Sequence, residues 1–424
     1  PGRLADPAKD SEAKSWHQEY GCDERRGKGQ HLARSKARVV VVYWYFRSCI
    51  GSGAMTRIYF ASNRNVRHET SSKGAVFGDR FNENGPQCFR VGHAEVKLSG
   101  DAKKDTDWKV GQTRLYEETL DDTPPEAANK KLGSGKMFED LREHLKKEEA
   151  DVIILIHGFA TSFEESLVRA ASLENIYGAG DQKIRVILFS WPSNGRVQPA
   201  WNYFSDREDA EASGLAMGRA LKRLVEFLQA LRETDQDVIR AAKARDEVPD
   251  PSDLKQCTAR LHVLAHSMGN WALRHALHKF INLNGGRTPR VFDAAFLMAA
   301  DEDHDALAEP LKLKPLENLA NRTFVYHASN DVALTVSDTT KGNADRLGSD
   351  GPQDLDVLSE RMVAIDCRRI SKTTLAQGRH QYYRLRDEAI EDVKLTLADA
   401  PQEDRQGRQT VRPGRAWQLV PTDD

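Results

Sequence analysis

The segment "LHVLAHSMGNWALRHAL" (Leu261–Leu277) changes its hydrophobic periodicity at Ser267. The residues before the serine form a nearly continuous apolar run, which is typical of a strand buried on both faces of a parallel sheet. After the serine, apolar residues recur every three or four positions, as they do on one face of a helix. They are Met268, Ala272, Leu273, Ala276 and Leu277. The segment therefore predicts a strand that turns sharply into a helix, with one hydroxyl at the turn.

Small residues lie two positions before and two positions after this serine, namely Ala265 and Gly269. A strained turn that lifts a hydroxyl above the sheet brings the strand and helix backbones together, so bulky side chains would clash there. The pattern is that of G-x-S-x-G, with alanine in place of the first glycine. Two interpretations are open: Ser267 is a nucleophile at such a turn, or it is a serine that caps a helix.

Further apolar runs alternate with helical segments along the chain. The runs are Asp151–His157, Ile184–Trp191, Arg260–His266, Val291–Ala300 and Thr323–Ser329. Apolar strands separated by helices predict the α/β class, with a mostly parallel, doubly wound sheet and helices on both faces. Two earlier segments, Arg57–Ser62 and Phe89–Leu98, alternate apolar and polar residues and predict edge strands.

The composition divides the chain into segments. We expect residues 1–54 to be a leader or disordered segment and residues 55–399 to form the α/β domain. Within that domain, 232–256 is a polar insertion, and 400–424 is expected to be a flexible tail. The apolar run Val39–Phe46 is too short to cross a bilayer, although a signal or anchor in the leader stays open.

The overall charge narrows the class of partner. The chain has 62 basic and 64 acidic residues among 424, which gives no bulk attraction to nucleic acid or anionic lipid. We therefore expect a small-molecule partner, no nucleic acid and no stable membrane span. The five cysteines are scattered without any CxxC spacing, which suits a reducing, cytoplasmic compartment.

A serine nucleophile needs N–H donors for the oxyanion that develops on the substrate. One would be the backbone N–H of Met268, which follows the serine. A second is predicted in "ILIHGFATSFEES" (154–166), where Gly158 permits a close turn after a strand. Phe159 supplies this N–H, with Ala160 as the alternative donor. A helix is expected to begin near Ser162, because Glu165 stands in the capping-box position.

Several motifs together resemble a bacterial α/β-hydrolase family known as domain of unknown function 900. They are "RIYFASNR" (57–64), "IHGFATSFEES" (156–166), "FSWPSNG" (189–195), "DREDAEASG" (206–214), "LAHSMGN" (264–270) and "YHASNDVAL" (326–334). The resemblance covers about residues 55–399. It implies an α/β-hydrolase fold with a Ser, Asp, His triad and leaves the substrate undefined.

In this fold the triad follows the chain order Ser, then Asp or Glu, then His. Asp331 comes directly after an apolar strand, where an acid could reach a histidine on a later loop. Only His380 follows it, in the loop "AQGRHQYYRL" (376–385) before an amphipathic segment. Asp301, in "AADEDHDAL" (299–307), is the second choice for the acid, and metal binding by that run is the weaker interpretation, because its spacing matches no known cation loop.

The residues favour a serine hydrolase that acts on carboxylic esters or thioesters through an acyl-enzyme on Ser267, with no cofactor and no metal. His380 would be the base, Asp331 would orient it, and the partner would be a small ester or acyl compound. The alternative is a catalytically idle α/β-hydrolase fold that serves as a binding or assembly scaffold, since a fold does not guarantee its chemistry.

Overall fold

The structure is a computed structural model. It describes residues 55–116, 133–180, 182–196, 201–250, 254, 259–334, 345–371, 379–403 and 405–421. The predicted leader, residues 1–54, lies outside the described residues.

The described strands form one sheet in the order β12-β13-β11-β10-β9-β8-β6-β7-β1-β4-β5-β3-β2. Their bounds are β1 Met55–Ser62, β2 Arg64–Thr70, β3 Gly74–Phe81, β4 Arg90–Leu98, β5 Trp108–Tyr116, β6 Asp151–Ile156, β7 Ile184–Ser190, β8 Leu261–His266, β9 Phe292–Met298, β10 Ala320–His327, β11 Met362–Asp366, β12 Arg408–Arg412 and β13 Ala416–Leu419. The strands from β13 to β1 in this order pair in parallel, while β1 pairs antiparallel with β4. This arrangement confirms the predicted, mostly parallel α/β sheet.

Helices cover both faces of the sheet. Their bounds are α1 Gly133–Glu148, α2 Phe163–Tyr177, α3 Trp201–Ala212, α4 Gly214–Ala244, α5 Gly269–Leu283, α6 Leu316–Leu319, α7 Leu347–Asp350, α8 Tyr382–Leu385 and α9 Asp387–Leu397. One apolar cluster joins α2 and α9 to the sheet, and a second joins α1, α4 and α5 to it. The two clusters fit the alternate side chains of each buried strand, which point to opposite faces.

The prediction of two edge strands near the start of the chain is wrong. Strand β1 lies between β7 and β4, and β4 lies between β1 and β5. Two of the polar residues in these strands have internal partners. Tyr59 donates to Asp140 over 2.7 Å, and His93 lies 3.1 Å from the Tyr116 hydroxyl. Polar side chains in an interior strand are tolerated when they are hydrogen-bonded in this way.

The prediction of a flexible tail over residues 400–424 is also wrong for most of that segment. Strand β13 pairs in parallel with β11, and β12 pairs with β13. Trp417 is buried in the core, and the carboxylate of Asp392 binds the Arg408 guanidinium. The segment therefore extends the sheet, and the pairing of β13 with β11 removes what would otherwise be an open edge.

The polar insertion over 232–256 continues a helix for about half of its length. Helix α4 runs on to Ala244, and Ala242 is buried. Residues 251–253 and 255–258 lie outside the described residues. Asp235, in the same part of the helix, is buried as well, so the helical part of the insertion packs inward at both positions.

Candidate active site

Ser267 lies at the sharp turn between β8 and α5. Its φ is +53°, a left-handed conformation that costs a non-glycine residue about 1–2 kcal/mol. The Ser267 N–H donates to the Met298 carbonyl over 2.9 Å, and its own carbonyl accepts from the Asp301 N–H over 3.2 Å. The turn is thereby tied to the end of β9, the neighbouring strand, and this tie maintains the strained conformation.

The helix after the turn is not capped by this serine. Its N-cap residue is Met268, and no side-chain hydrogen bond caps it within the described residues. Packing explains the small residues around the turn. A Cβ atom placed on Gly269 would lie 2.5 Å from the Ile156 carbonyl oxygen, and one on Gly158 would lie 3.0 Å from the Ser267 Cβ.

His380 and Asp331 form a hydrogen-bonded pair near this turn. The distance from His380 Nδ1 to Asp331 Oδ2 is 2.7 Å, so the Nδ1–H donates to the carboxylate. The Asp331 side chain is fully buried, whereas the imidazole is partly exposed. The carboxylate follows β10 and also accepts the Ala333 N–H over 3.0 Å, which fixes its orientation.

The loop that carries His380 contacts His266, the residue that precedes Ser267. His266 Nε2 lies 3.1 Å from the His380 carbonyl oxygen, and the two imidazole rings have centroids 4.6 Å apart. Burial holds the pKa of His266 well below its usual value, so its ring is neutral and donates from Nε2. Among the described residues no hydrogen bond joins Ser267 Oγ to His380, and such bonds often tighten only with substrate bound.

The two predicted oxyanion donors belong to two segments that meet at this turn, since a Cβ atom on Gly158 would lie 3.0 Å from the Ser267 Cβ. Met268 follows Ser267, and Phe159 lies in the loop between β6 and α2, next to Gly158. Within the described part of the chain, neither N–H donates a hydrogen bond to another residue. Unpaired N–H groups of this kind are available to a ligand oxygen.

Asp301, the second choice for the acid, has other partners. Its carboxylate accepts the Tyr203 hydroxyl over 2.6 Å and lies 3.9 Å from Arg346 Nε. The neighbouring Asp303 and Asp305 bind Lys312, at 3.0 and 2.5 Å. In the described ranges, no group of three acidic, histidine or cysteine side chains could hold a metal ion.

Sequence reasoning missed one buried cation, Arg64, although its motif "RIYFASNR" carried part of the resemblance. The guanidinium is completely buried and donates to the Thr161, Ser193 and Gly78 carbonyls over 2.8, 3.0 and 3.1 Å. It also donates to Ser190 Oγ over 3.0 Å. Burial lowers its pKa to about 9, with nearby carboxylates acting in the opposite sense. No sequence periodicity distinguishes such an arginine from an exposed one.

The comparisons with known proteins agree with this architecture. The model of a family described as an alpha/beta hydrolase of unknown function, domain of unknown function 900, matches residues 134–238 and 252–391. These ranges cover more than half of the chain and include the Ser267 turn and the His380–Asp331 pair. No curated protein matches the chain. Among the helices that the structure describes, none is long and apolar enough to cross a membrane.

Proposed function

Because the chain belongs to this alpha/beta hydrolase family, we propose that it hydrolyses carboxylic esters or thioesters through an acyl-enzyme on Ser267. The observation that carries the proposal is the 2.7 Å hydrogen bond between His380 and a fully buried carboxylate, beside a serine in a strained turn. These three groups also occur in the chain order of the fold, which supports the proposal.

In the first step, Ser267 Oγ attacks the acyl carbon while His380 Nε2 takes the serine proton. The carbonyl oxygen becomes an oxyanion, which the N–H groups of Phe159 and Met268 would stabilise. Collapse of this intermediate breaks the bond to the leaving oxygen or sulfur, which receives the proton from His380. Asp331 holds the imidazole in the tautomer with its free electron pair on Nε2.

In the second step, water attacks the acyl-enzyme and gives a proton to His380. A second oxyanion forms at the same position and collapses, and the proton returns to Ser267 Oγ as the acid leaves. The enzyme is then restored without any cofactor or metal.

Aromatic and apolar residues near the turn support an acyl or ester substrate of moderate size. The Tyr203 ring lies 5.7 Å from the Phe159 ring, centroid to centroid. Phe204 and Val332, which follow Tyr203 and Asp331 in the chain, are 45% and 42% exposed. Trp191, by contrast, is fully buried and stacks on His157 at 5.0 Å, so its role is packing.

The proposal is tested with a fluorophosphonate probe on the full chain, followed by peptide mapping and by kinetics on short p-nitrophenyl esters. We expect label on Ser267 and at least a thousandfold loss of kcat in Ser267→Ala, because the nucleophile is removed. The melting temperature should fall little. The control is Ser172→Ala, which removes a buried hydroxyl that donates to the Ala102 carbonyl over 2.7 Å, away from the site.

A wild-type protein that takes no label and turns over no ester in a broad panel would refute the proposed function. That result would favour the alternative, an α/β-hydrolase fold that serves as a binding or assembly scaffold.

A further inference from the structure

The loop between β6 and α2 contains a threonine whose polar groups all have partners. Thr161 is completely buried. Its N–H donates to Ser193 Oγ over 3.0 Å, and its carbonyl accepts from Arg64 Nη2 over 2.8 Å. Its Oγ1 accepts from Arg169 Nη1 over 2.6 Å. A buried residue with this many directed bonds is held in one position.

The same hydroxyl reaches back to the residue that carries the proposed oxyanion donor. Thr161 Oγ1 donates to the Phe159 carbonyl over 3.1 Å. A hydroxyl has one proton and two lone pairs, so it donates to Phe159 and accepts from Arg169 at the same time. The bond fixes the peptide plane between Phe159 and Ala160. The Phe159 N–H lies in the preceding peptide plane, whose Gly158 carbonyl is 2.9 Å from His157 Nδ1, so Thr161 acts on this N–H through the φ and ψ angles of Phe159.

The buried arginine anchors the loop from another part of the sheet. Arg64 is the first residue of β2, and it binds carbonyls in the loop after β6 and in the loop after β7. A rigid, planar guanidinium suits this use, because its donors point in fixed directions. The two loops are thereby fixed relative to each other around one cation.

A carboxylate completes the network from helix α3. Asp206 accepts the hydroxyl of Ser193 and the Ala160 N–H, the latter over 3.4 Å. Ala160 has a φ of +52°, an unfavourable conformation for a residue with a Cβ atom. Such a conformation persists only where the surroundings determine it strongly. Here Asp206 accepts the N–H of Ala160 itself, and the Thr161 hydroxyl holds the carbonyl of Phe159, the residue before it.

We propose that Thr161 is a positioning residue, which holds the Phe159 N–H where the oxyanion of the substrate forms. The inference rests on the proposed function. Oxyanion donors lower the barrier because they are already oriented before charge develops, so their supporting contacts control the rate. Arg64, Arg169 and Ser193 act on the donor through this threonine.

The test is Thr161→Val in the full chain, because valine keeps the shape and removes only the hydroxyl. We expect kcat on short p-nitrophenyl esters to fall by about 10- to 100-fold with KM within about twofold, less than the loss of a whole oxyanion donor. Thr161→Ser, which keeps both hydrogen bonds, should restore most of kcat.

The matched control is Thr396→Val. Thr396 is also buried, and its Oγ1 donates to the Asp392 carbonyl over 2.9 Å and accepts from Arg405 Nη1 over 2.5 Å. The substitution removes the same pair of bonds in α9, away from the turn. We expect it to lower the melting temperature and leave kcat unchanged.

A second variant, Arg169→Met, removes the donor of the hydrogen bond that Thr161 Oγ1 accepts. The Arg169 side chain is partly exposed. We expect a smaller fall in kcat, and a double variant no worse than Thr161→Val alone, since the two changes break one shared contact. Additive losses, or a kcat in Thr161→Val equal to that of Thr396→Val, would overturn the positioning role.

If Thr161→Val does not fold, an unchanged kcat in Arg169→Met overturns the role by itself, and a reduced kcat with unchanged KM supports it. Ester turnover by the wild type distinguishes failure of the positioning role from failure of the proposed hydrolase function. With active wild type, these outcomes bear on Thr161 only, whereas an inactive and unlabelled wild type removes the proposed function together with this role.

Discussion

The loops that follow the neighbouring strands β9 and β10 each carry a buried carboxylate, Asp301 and Asp331. Their positions are equivalent, because both lie at the carboxyl end of a parallel strand. Their partners differ. Asp331 binds the imidazole of His380, whereas Asp301 accepts the Tyr203 hydroxyl and lies near the guanidinium of Arg346.

The two loops also differ in their density of charge. The loop after β9 holds a buried glutamate, Glu302, and an arginine network in which Arg346 binds Asp303 over 2.9 Å. The loop after β10 holds Asp331 beside a histidine. A position at the end of a strand is therefore insufficient to identify an acid of a triad, and the side chains brought by other elements decide between the two carboxylates.

The largest expected difference between the loops is in the rate. Asp331→Asn should reduce kcat by about ten-thousandfold, because an amide at this position favours the wrong imidazole tautomer. Steady-state kinetics on a short p-nitrophenyl ester measures the effect, and circular dichroism checks that the variant is folded. Near-normal turnover would remove Asp331 from the proposed mechanism.

Asp301→Asn should change kcat by less than about tenfold, since the asparagine oxygen can still accept from the Tyr203 hydroxyl. Its main effect should be a loss of stability of about 1–3 kcal/mol, because the buried Arg346 loses a nearby negative charge. Denaturant unfolding and kinetics on the same preparation separate the two effects. A defect in kcat as large as that of Asp331→Asn would transfer the role of acid to Asp301.

The sequence was sufficient to predict the parallel strands from β6 to β10 and the turn at Ser267, because long apolar runs and small flanking residues are local signals. Strands β11 and β13 were missed. They have five and four residues, and the pairing of "AWQL" (416–419) depends on the free edge of β11 rather than on its own pattern.

The supporting network of the site was missed for a related reason. Arg64 and Arg169 look like any polar residue in a strand or on a helix, and only the tertiary structure brings both to Thr161. The order of Asp331 and His380 in the chain, by contrast, follows from the topology of the fold, so it could be inferred from the motifs alone.

The smallest expected effect on the rate is that of a change at Glu302. This prediction tests whether the loop after β9 supports the structure, whereas the loop after β10 supports the chemistry. Burial raises the pKa of Glu302 to about 7, and the nearby Arg274 and Arg207 offset only part of that effect. A folded-state pKa above the unfolded value of about 4.5 means that the carboxyl favours folding at low pH, and this contribution is lost as the pH rises from 4.5 to 7.

Glu302→Gln removes this pH-dependent loss of folding stability while keeping the shape of the side chain. From pH 5 to pH 8, we expect its free energy of unfolding to rise relative to wild type by up to about 3 kcal/mol, with kcat unchanged within about twofold. Other titrating groups are the same in both proteins and cancel in the difference. The control is Glu309→Gln, the same change at an exposed glutamate of this loop. The prediction is contradicted if the free energy of unfolding of Glu302→Gln differs from that of wild type by the same amount at pH 5 and pH 8. That result would show that the nearby arginines compensate the buried, ionised Glu302 fully.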